Sequence, residues 1–471
     1  MDAGVRPETP QETLRREVRG RLAKDREQGI EYETSLQKLF PNAILDTEVL
    51  ESIVTALIAG NHALLFGPSG SGKTVLAKEV LKLMPKDIMV VEDCPVQDDP
   101  FSVGDPTFYK HVPCCPFCRT RFGKDIEKFD PKDVDPREIP VRRATIREGH
   151  GFARVQGSAE VFPDNLTGTT NIRKLEEVGD PMSPLVLEPG KLLQANRGIL
   201  IVDEVGKLPL GTQNVLLQAL QESIVTPAKS RETFPASFIT ISTSNISDLD
   251  NINEPLNDRL ANVYIGFSRS HARNRLITEM GSGKAMEDVF FPDVLFDAGV
   301  RLIESWRLAT GELYELSEVG SNRTLIDIVT RSVAFTQMQG RGIVSTKDFR
   351  AGVTEAMLSH IRARGGDSYN RDKEAVEGFI KERLKEEIKL AADAYWCRFF
   401  EETLKGKKDA AARVIADGHE VLDDRPGGKE WLRFNDYVKD RERYRGRSTE
   451  EAAAKRIFKI LKKTGIYGDL K

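Results

Sequence analysis

Gly67, Pro68, Ser69, Gly70, Ser71, Gly72, Lys73 and Thr74 spell GPSGSGKT between an apolar run, HALLF, and VLAKEVLKLM. Closely spaced glycines let successive backbone N–H groups turn toward one point, and the helix that follows adds its own N-terminal donors. A concave set of donors of this kind suits phosphate oxygens. Lys73 supplies a point charge for the β and γ phosphates, and Thr74 a hydroxyl for Mg2+. The spacing G-x-x-x-x-G-K-[ST], set between strand and helix, is a Walker A motif.

Cutting a triphosphate needs carboxylates as well. ILIVDE places Asp203 and Glu204 at the end of an apolar strand. Asp203 can hold Mg2+ through water, and Glu204 can polarise an attacking water. TISTSN puts Asn245 at the end of another strand, where it could orient that water; a simple turn asparagine is the plainer alternative. Arg259, in NEPLNDRLANVYI, could reach the γ-phosphate of a neighbouring subunit as an arginine finger. Arg323, in GSNRTLIDI, could approach the phosphates of its own subunit. Surface salt bridges are the plainer reading of both arginines.

These residues need a scaffold. Apolar runs at 62–66, 87–93, 198–205, 237–245 and 261–267 read as five strands, with helical stretches between them. The alternation predicts an α/β domain with a largely parallel five-stranded sheet. After about residue 290 the strands stop, and apolar residues recur at three-to-four spacing. The expected organisation is a helical segment over 1–42, an α/β core over 43–285, a helical lid over 286–363 and a helical region over 373–471. In that last region a long helix over 374–405 carries Val376, Phe379, Ile380, Leu384, Ile388, Ala391, Trp396 and Phe400 on one side.

Composition narrows the function class. Hydrophobic residues make up 39% and charged residues 30%, which suits a globular chain with a real core. The formal net charge of −4, without long single-sign blocks, argues against a nucleic-acid partner. No apolar stretch reaches the roughly 20 residues of a membrane span, and the polar N-terminus lacks a signal core. A cytoplasmic location is expected.

Taken together, order and spacing resemble the AAA+ ATPases over about 45–355. The stretch DNLTGTTNIRKLEEVGDPMSPLVLEPGKLLQANRGILIVDEVGKL, 164–208, narrows the likeness to the helix-2-insert type. It resembles two families: the AAA+ module of PrkA-type serine protein kinases and the ATPase I subunit of magnesium chelatase. EDCPVQDDP, CRTRFG and NEPLNDR place it nearer the first. The resemblance implies ATP and Mg2+, a homo-oligomeric ring, six subunits being usual, and an insert at about 153–190 that projects toward a protein partner or pore.

The chain departs from both families. PrkA-type proteins lack a clean Walker B aspartate, whereas Asp203 is present here and favours a working ATPase. No kinase lysine, catalytic loop or magnesium aspartate is visible after the lid. Gly206 stands where chelatase subunits carry asparagine in VDEVN. The expected function is an ATPase that remodels or activates a protein partner; a PrkA-like serine kinase and a nucleic-acid-stimulated motor are the alternatives.

Two features remain. HVPCCPFC sets Cys115 and Cys118 two residues apart across a turn, a spacing that suits Zn2+; Cys94, Cys114, His111 and His150 are the candidate further ligands. One such pair leaves the choice between zinc and buried thiols open, with thiols the commoner case. AAAKRIFKILKKTGIYGDL is a basic amphipathic stretch that could dock on a partner, or pack on its own domain.

Overall fold

The computed structural model describes residues 8–403, except 124–128, 182, 228–229, 310–319, 343 and 361–368; side chains are described to Ala391. Trp396, Cys397, Phe399, Phe400 and the basic C-terminal stretch lie outside the described side chains. The chain divides into two compact units, one ending at Gly266 and one beginning at Phe267.

In the first unit, β1 (His62–Phe66), β2 (Arg147–Glu148), β3 (Gly151–Gln156), β4 (Gly198–Asp203), β5 (Phe238–Ser244) and β6 (Leu260–Tyr264) form one sheet in the order β6-β1-β5-β4-β3-β2. Every pairing is parallel. The sheet thus has six strands rather than five. The run at 87–91 is a strand, but it pairs antiparallel with Val141–Thr145 in a ribbon of its own. The strand paired with β4 on that side is β3, GFARVQ, which the apolar runs did not mark. Only alternate residues of β3 are buried, so it lacks the continuous apolar run that marks β4; β4 and β5 are buried throughout.

Alternation along the strands divides the core in two. Ile199, Ile201, Ile239 and Ile241 pack with α1 (Pro10–Glu27), α2 (Thr47–Ala59) and α3 (Lys73–Leu81) through Leu14, Ile53, Leu57, Leu76 and Val80. Leu200, Val202, Ala153 and Val155 face the other side, with Leu216 and Phe234. Thr9 and Glu12 form a capping box that starts α1, and Gly60, at φ 82°, lets the chain leave α2 for β1. Between β3 and β4, an antiparallel ribbon of Gly168–Thr170 and Leu187–Pro189 carries a helix, Ile172–Val178, none of whose residues is buried.

The second unit contains helices α4 (His271–Ser282), α5 (Asp293–Ala309), α6 (Asn322–Met338), α7 (Thr346–His360) and α8 (Tyr369–Thr403). Trp306 is fully buried, with Phe379 at a ring-centroid distance of 5.4 Å, and Phe349 lies in the same core. Val376, Phe379, Ile380, Leu384, Ile388 and Ala391 all enter that core from α8, on the side the periodicity marks.

A charged cluster ties α4 to α5. His271 meets Asp297 at 2.5 Å and Glu304 at 2.8 Å, while Arg275 and Arg301 also reach Asp297. The hydrogen bond to Asp297, then that to Glu304, pushes the His271 pKa up to about 9. The unfolded value is near 6.5, so this pair stabilises the fold fully below pH 6.5 and progressively loses that contribution as pH rises through 9. Because His271 is partly exposed, the loss is about 1–2 kcal/mol. Urea denaturation of the full chain at pH 6 and pH 10 measures it. A His271→Asn variant should flatten that part of the pH dependence.

Candidate functional site: a nucleotide pocket at the strand ends

Gly67, Gly70 and Gly72 adopt φ of 154°, 76° and 102°, a region that L side chains rarely enter. At Gly67 an added Cβ would lie 2.1 Å from the carbonyl oxygen of Ile265, so glycine is required by space as well. Gly72 stands directly before α3, whose first turn has no side-chain cap. Ser71 is buried, and its Oγ has no protein partner. Open helix N–H groups beside an orphaned buried hydroxyl fit phosphate oxygens.

Lys73 is folded onto this loop. Its Nζ donates to the carbonyls of Gly67 at 2.9 Å and Pro68 at 2.7 Å, and to Asn245 Oδ1 at 3.1 Å. Strand order explains the last contact: β5 lies between β1 and β4, so its end points at the loop that leaves β1. Asn245 precedes a short helical turn yet makes no side-chain cap to it. Its amide is thus committed to the lysine, not to the turn.

Asp203 is 2% exposed at the end of β4. Its Oδ1 accepts from Thr74 Oγ1 at 3.1 Å and from Thr243 Oγ1 at 3.2 Å. Its Oδ2 accepts from Arg154 Nε at 2.7 Å, and a second guanidinium nitrogen of Arg154 joins the ion pair. Glu204 follows in the left-handed region at φ 55°, with its N–H on Thr243 Oγ1 at 3.0 Å. Gln156 Nε2 and Lys207 Nζ hold its carboxylate at 2.9 and 3.0 Å. The hydroxyl and the carboxylate expected to serve Mg2+ are adjacent: Thr74 and Asp203 would hold it, and the ion would draw charge from the phosphates.

The structure brings Lys73, Thr74, Asp203 and Asn245 together, with Glu204 adjoining. Arg259 stands apart from them: it is partly exposed in the turn before β6, where Nη1 donates to the Pro255 carbonyl at 2.8 Å. Arg323 is exposed in the first turn of α6, in the second unit. Cys94, Cys115 and Cys118 form a separate buried group.

Four participants escaped the sequence reading: Arg154, Gln156, Thr243 and Lys207. The available signal was GFARVQ itself. Once it is a strand beside β4, the register sets Gln156 opposite Asp203, and Arg154 follows on the same face. Two glycines also matter. An added Cβ at Gly157 would lie 2.1 Å from the Glu204 carbonyl oxygen, and one at Gly206 would lie 2.2 Å from that of Asp248. The asparagine expected at 206 from chelatase subunits has no room here.

Residues 59–271 match the family model described as PrkA AAA domain. Serine/threonine kinase YeaG of Escherichia coli K12 is 29% identical over 208 residues, 39% of this chain and 31% of that protein. An archaeal Lon protease of Thermococcus kodakarensis is 24% identical over 297 residues, 49% of this chain and 46% of that one. The magnesium-chelatase subunit ChlI homolog of Methanocaldococcus jannaschii is 24% identical over 338 residues, 68% of this chain and 83% of that one. This chain thus spans less than a third of the E. coli relative's length. No helix among the described residues is long and apolar enough to cross a membrane. Residues 59–271 thus match the PrkA AAA domain family, and the chain is similar as well to a magnesium-chelatase subunit.

Proposed function

We propose that the chain hydrolyses ATP at this site and that a homo-oligomeric ring of it uses the energy to remodel or activate a protein partner. The observation that carries the reading is the convergence of Lys73, Thr74, Asp203 and Asn245 from three neighbouring strand ends. In this reading the triphosphate draws Lys73 off the loop carbonyls, and Thr74 and Asp203 hold its Mg2+. Glu204 takes the proton of the attacking water, which Asn245 orients.

Arg259 completes the site from the neighbouring subunit. Arg323 senses the phosphates from the lid of the same chain. Within the insert expected at about 153–190, residues 153–156 belong to core strand β3, and the remainder reaches the partner, consistent with exposures of 63% at Phe162 and 73% at Ile172. The cellular compartment assigned is the cytoplasm.

The likeness to a named serine/threonine kinase favours a second reading, transfer of the γ-phosphate to a protein serine. One experiment separates the two. The full chain is incubated with Mg2+ and γ-labelled ATP, with and without casein as a generic acceptor. Free phosphate without labelled protein supports hydrolysis. Labelled protein, lost in Lys73→Ala, supports the kinase. Absence of ATP binding by calorimetry overturns both.

A further inference from the structure

The cysteines form a tighter group than CxxC spacing alone requires. Cys94, Asp98, Cys115 and Cys118 are all buried, and one ligand atom from each lies within 4.8 Å of all the others. Cys94 Sγ and Cys115 Sγ are 3.7 Å apart. With Zn–S bonds of about 2.3 Å, the S···S edge of a tetrahedron is about 3.8 Å. The fourth position falls to Asp98, not to Cys114, His111 or His150. His150 is engaged elsewhere, its Nδ1 lying 3.1 Å from Gln97 Nε2.

The backbone around the group is arranged for anionic ligands. The N–H of Asp98 points at Cys94 Sγ at 3.3 Å, and that of Cys118 at Cys115 Sγ at 3.4 Å. The N–H of Cys115 donates to Asp98 Oδ2 at 2.7 Å. Amides that orient and stabilise thiolate and carboxylate ligands in this way are the usual outer layer of a metal site. Asp93 and Gln97, flanking the loop of Cys94, sit at φ 63° and 59°. Neither is glycine, and such backbone persists only where the surroundings over-determine it. Four ligand-bearing side chains buried together, with backbone N–H groups turned toward three of them, suit a cation.

We propose that Cys94, Asp98, Cys115 and Cys118 bind one Zn2+ as a closed structural site. All four positions are protein ligands, which leaves none open for a substrate. Binding displaces the thiol protons to solvent, and the ion joins the loop 94–98 to the turn 115–118. Both lie in the same core as Ala153 and Val155 of β3 and Val202 of β4. The metal therefore braces the strands that carry Arg154, Gln156 and Asp203.

The test uses the full chain purified under reducing conditions without chelator. Elemental analysis should find about one zinc per chain, and Cys94→Ser and Cys118→Ser should each lose it by about tenfold or more. Cys114→Ser, outside the group, should keep it. Because the serine variants may misfold, wild-type protein is also stripped with acid and reloaded with Co2+. A tetrahedral d–d spectrum with thiolate-to-cobalt charge transfer supports the site. Zinc-free wild-type protein that also gives no such cobalt spectrum overturns it. ATP binding plays no part in these readouts, so the zinc site and the ATPase reading stand or fall separately.

Discussion

Replacing Glu204 with Gln is expected to cut the steady-state ATPase rate by about 10²–10⁴ while ATP affinity stays within a few-fold. The substitution keeps shape and removes basicity. Glu204 touches neither Lys73 nor Thr74 through a hydrogen bond, so the phosphate contacts survive it. Its carboxylate bonds to Gln156 and Lys207 near the surface, and the Gln amide can still accept from either. Folding should therefore be unaffected, which thermal denaturation checks. Calorimetric titration with ATP and Mg2+ reads affinity, and phosphate release reads turnover. Equal losses in both would assign Glu204 to binding. An unchanged rate would remove it from the chemistry.

Arg259→Ala should be as severe for turnover, and for a different reason. Among the described residues its guanidinium hydrogen-bonds the Pro255 carbonyl at 2.8 Å, a partly exposed contact whose loss costs the fold little. If it serves a neighbour's γ-phosphate, the loss in rate is about 10³–10⁵ with nucleotide affinity retained. Lys73→Ala should abolish binding instead. Mixing the two inactive proteins is the decisive experiment, because an assembled interface can then pair an intact Lys73 with an intact Arg259 from another chain. Activity should recover to at least about tenfold above either parent. No recovery, with assembly shown by sedimentation, would place the arginine outside the shared site.

The parts of this site that sequence reveals are those fixed by local constraint. GPSGSGKT is legible because left-handed glycines, a helix start and a lysine must occupy consecutive positions, whatever the rest of the chain does. ILIVD is legible because a strand buried on both faces must be apolar at every residue before its terminal acid. GFARVQ escaped because its outward positions, Arg154 and Gln156, are polar for the sake of Asp203 and Glu204, which are distant in sequence. DIMVV took its place on apolarity alone, although only its last two residues are buried. Asp98 escaped similarly. A carboxylate four residues after Cys94 has no ligand spacing of its own, and only the fold brings it to Cys115. Thr243 lay in plain view within TISTSN, but nothing in its type marks it as the hydroxyl shared by Asp203 and the Glu204 N–H.

The bond between Lys73 and Asn245 has a consequence for timing. One amide oxygen cannot at once accept from the ammonium and be available to a water molecule along the same direction. In the structure the lysine holds that oxygen. Anything anionic enough to pull the ammonium away releases that oxygen in the same movement. In the proposed mechanism, arrival of cargo and readiness to cut it are therefore one event.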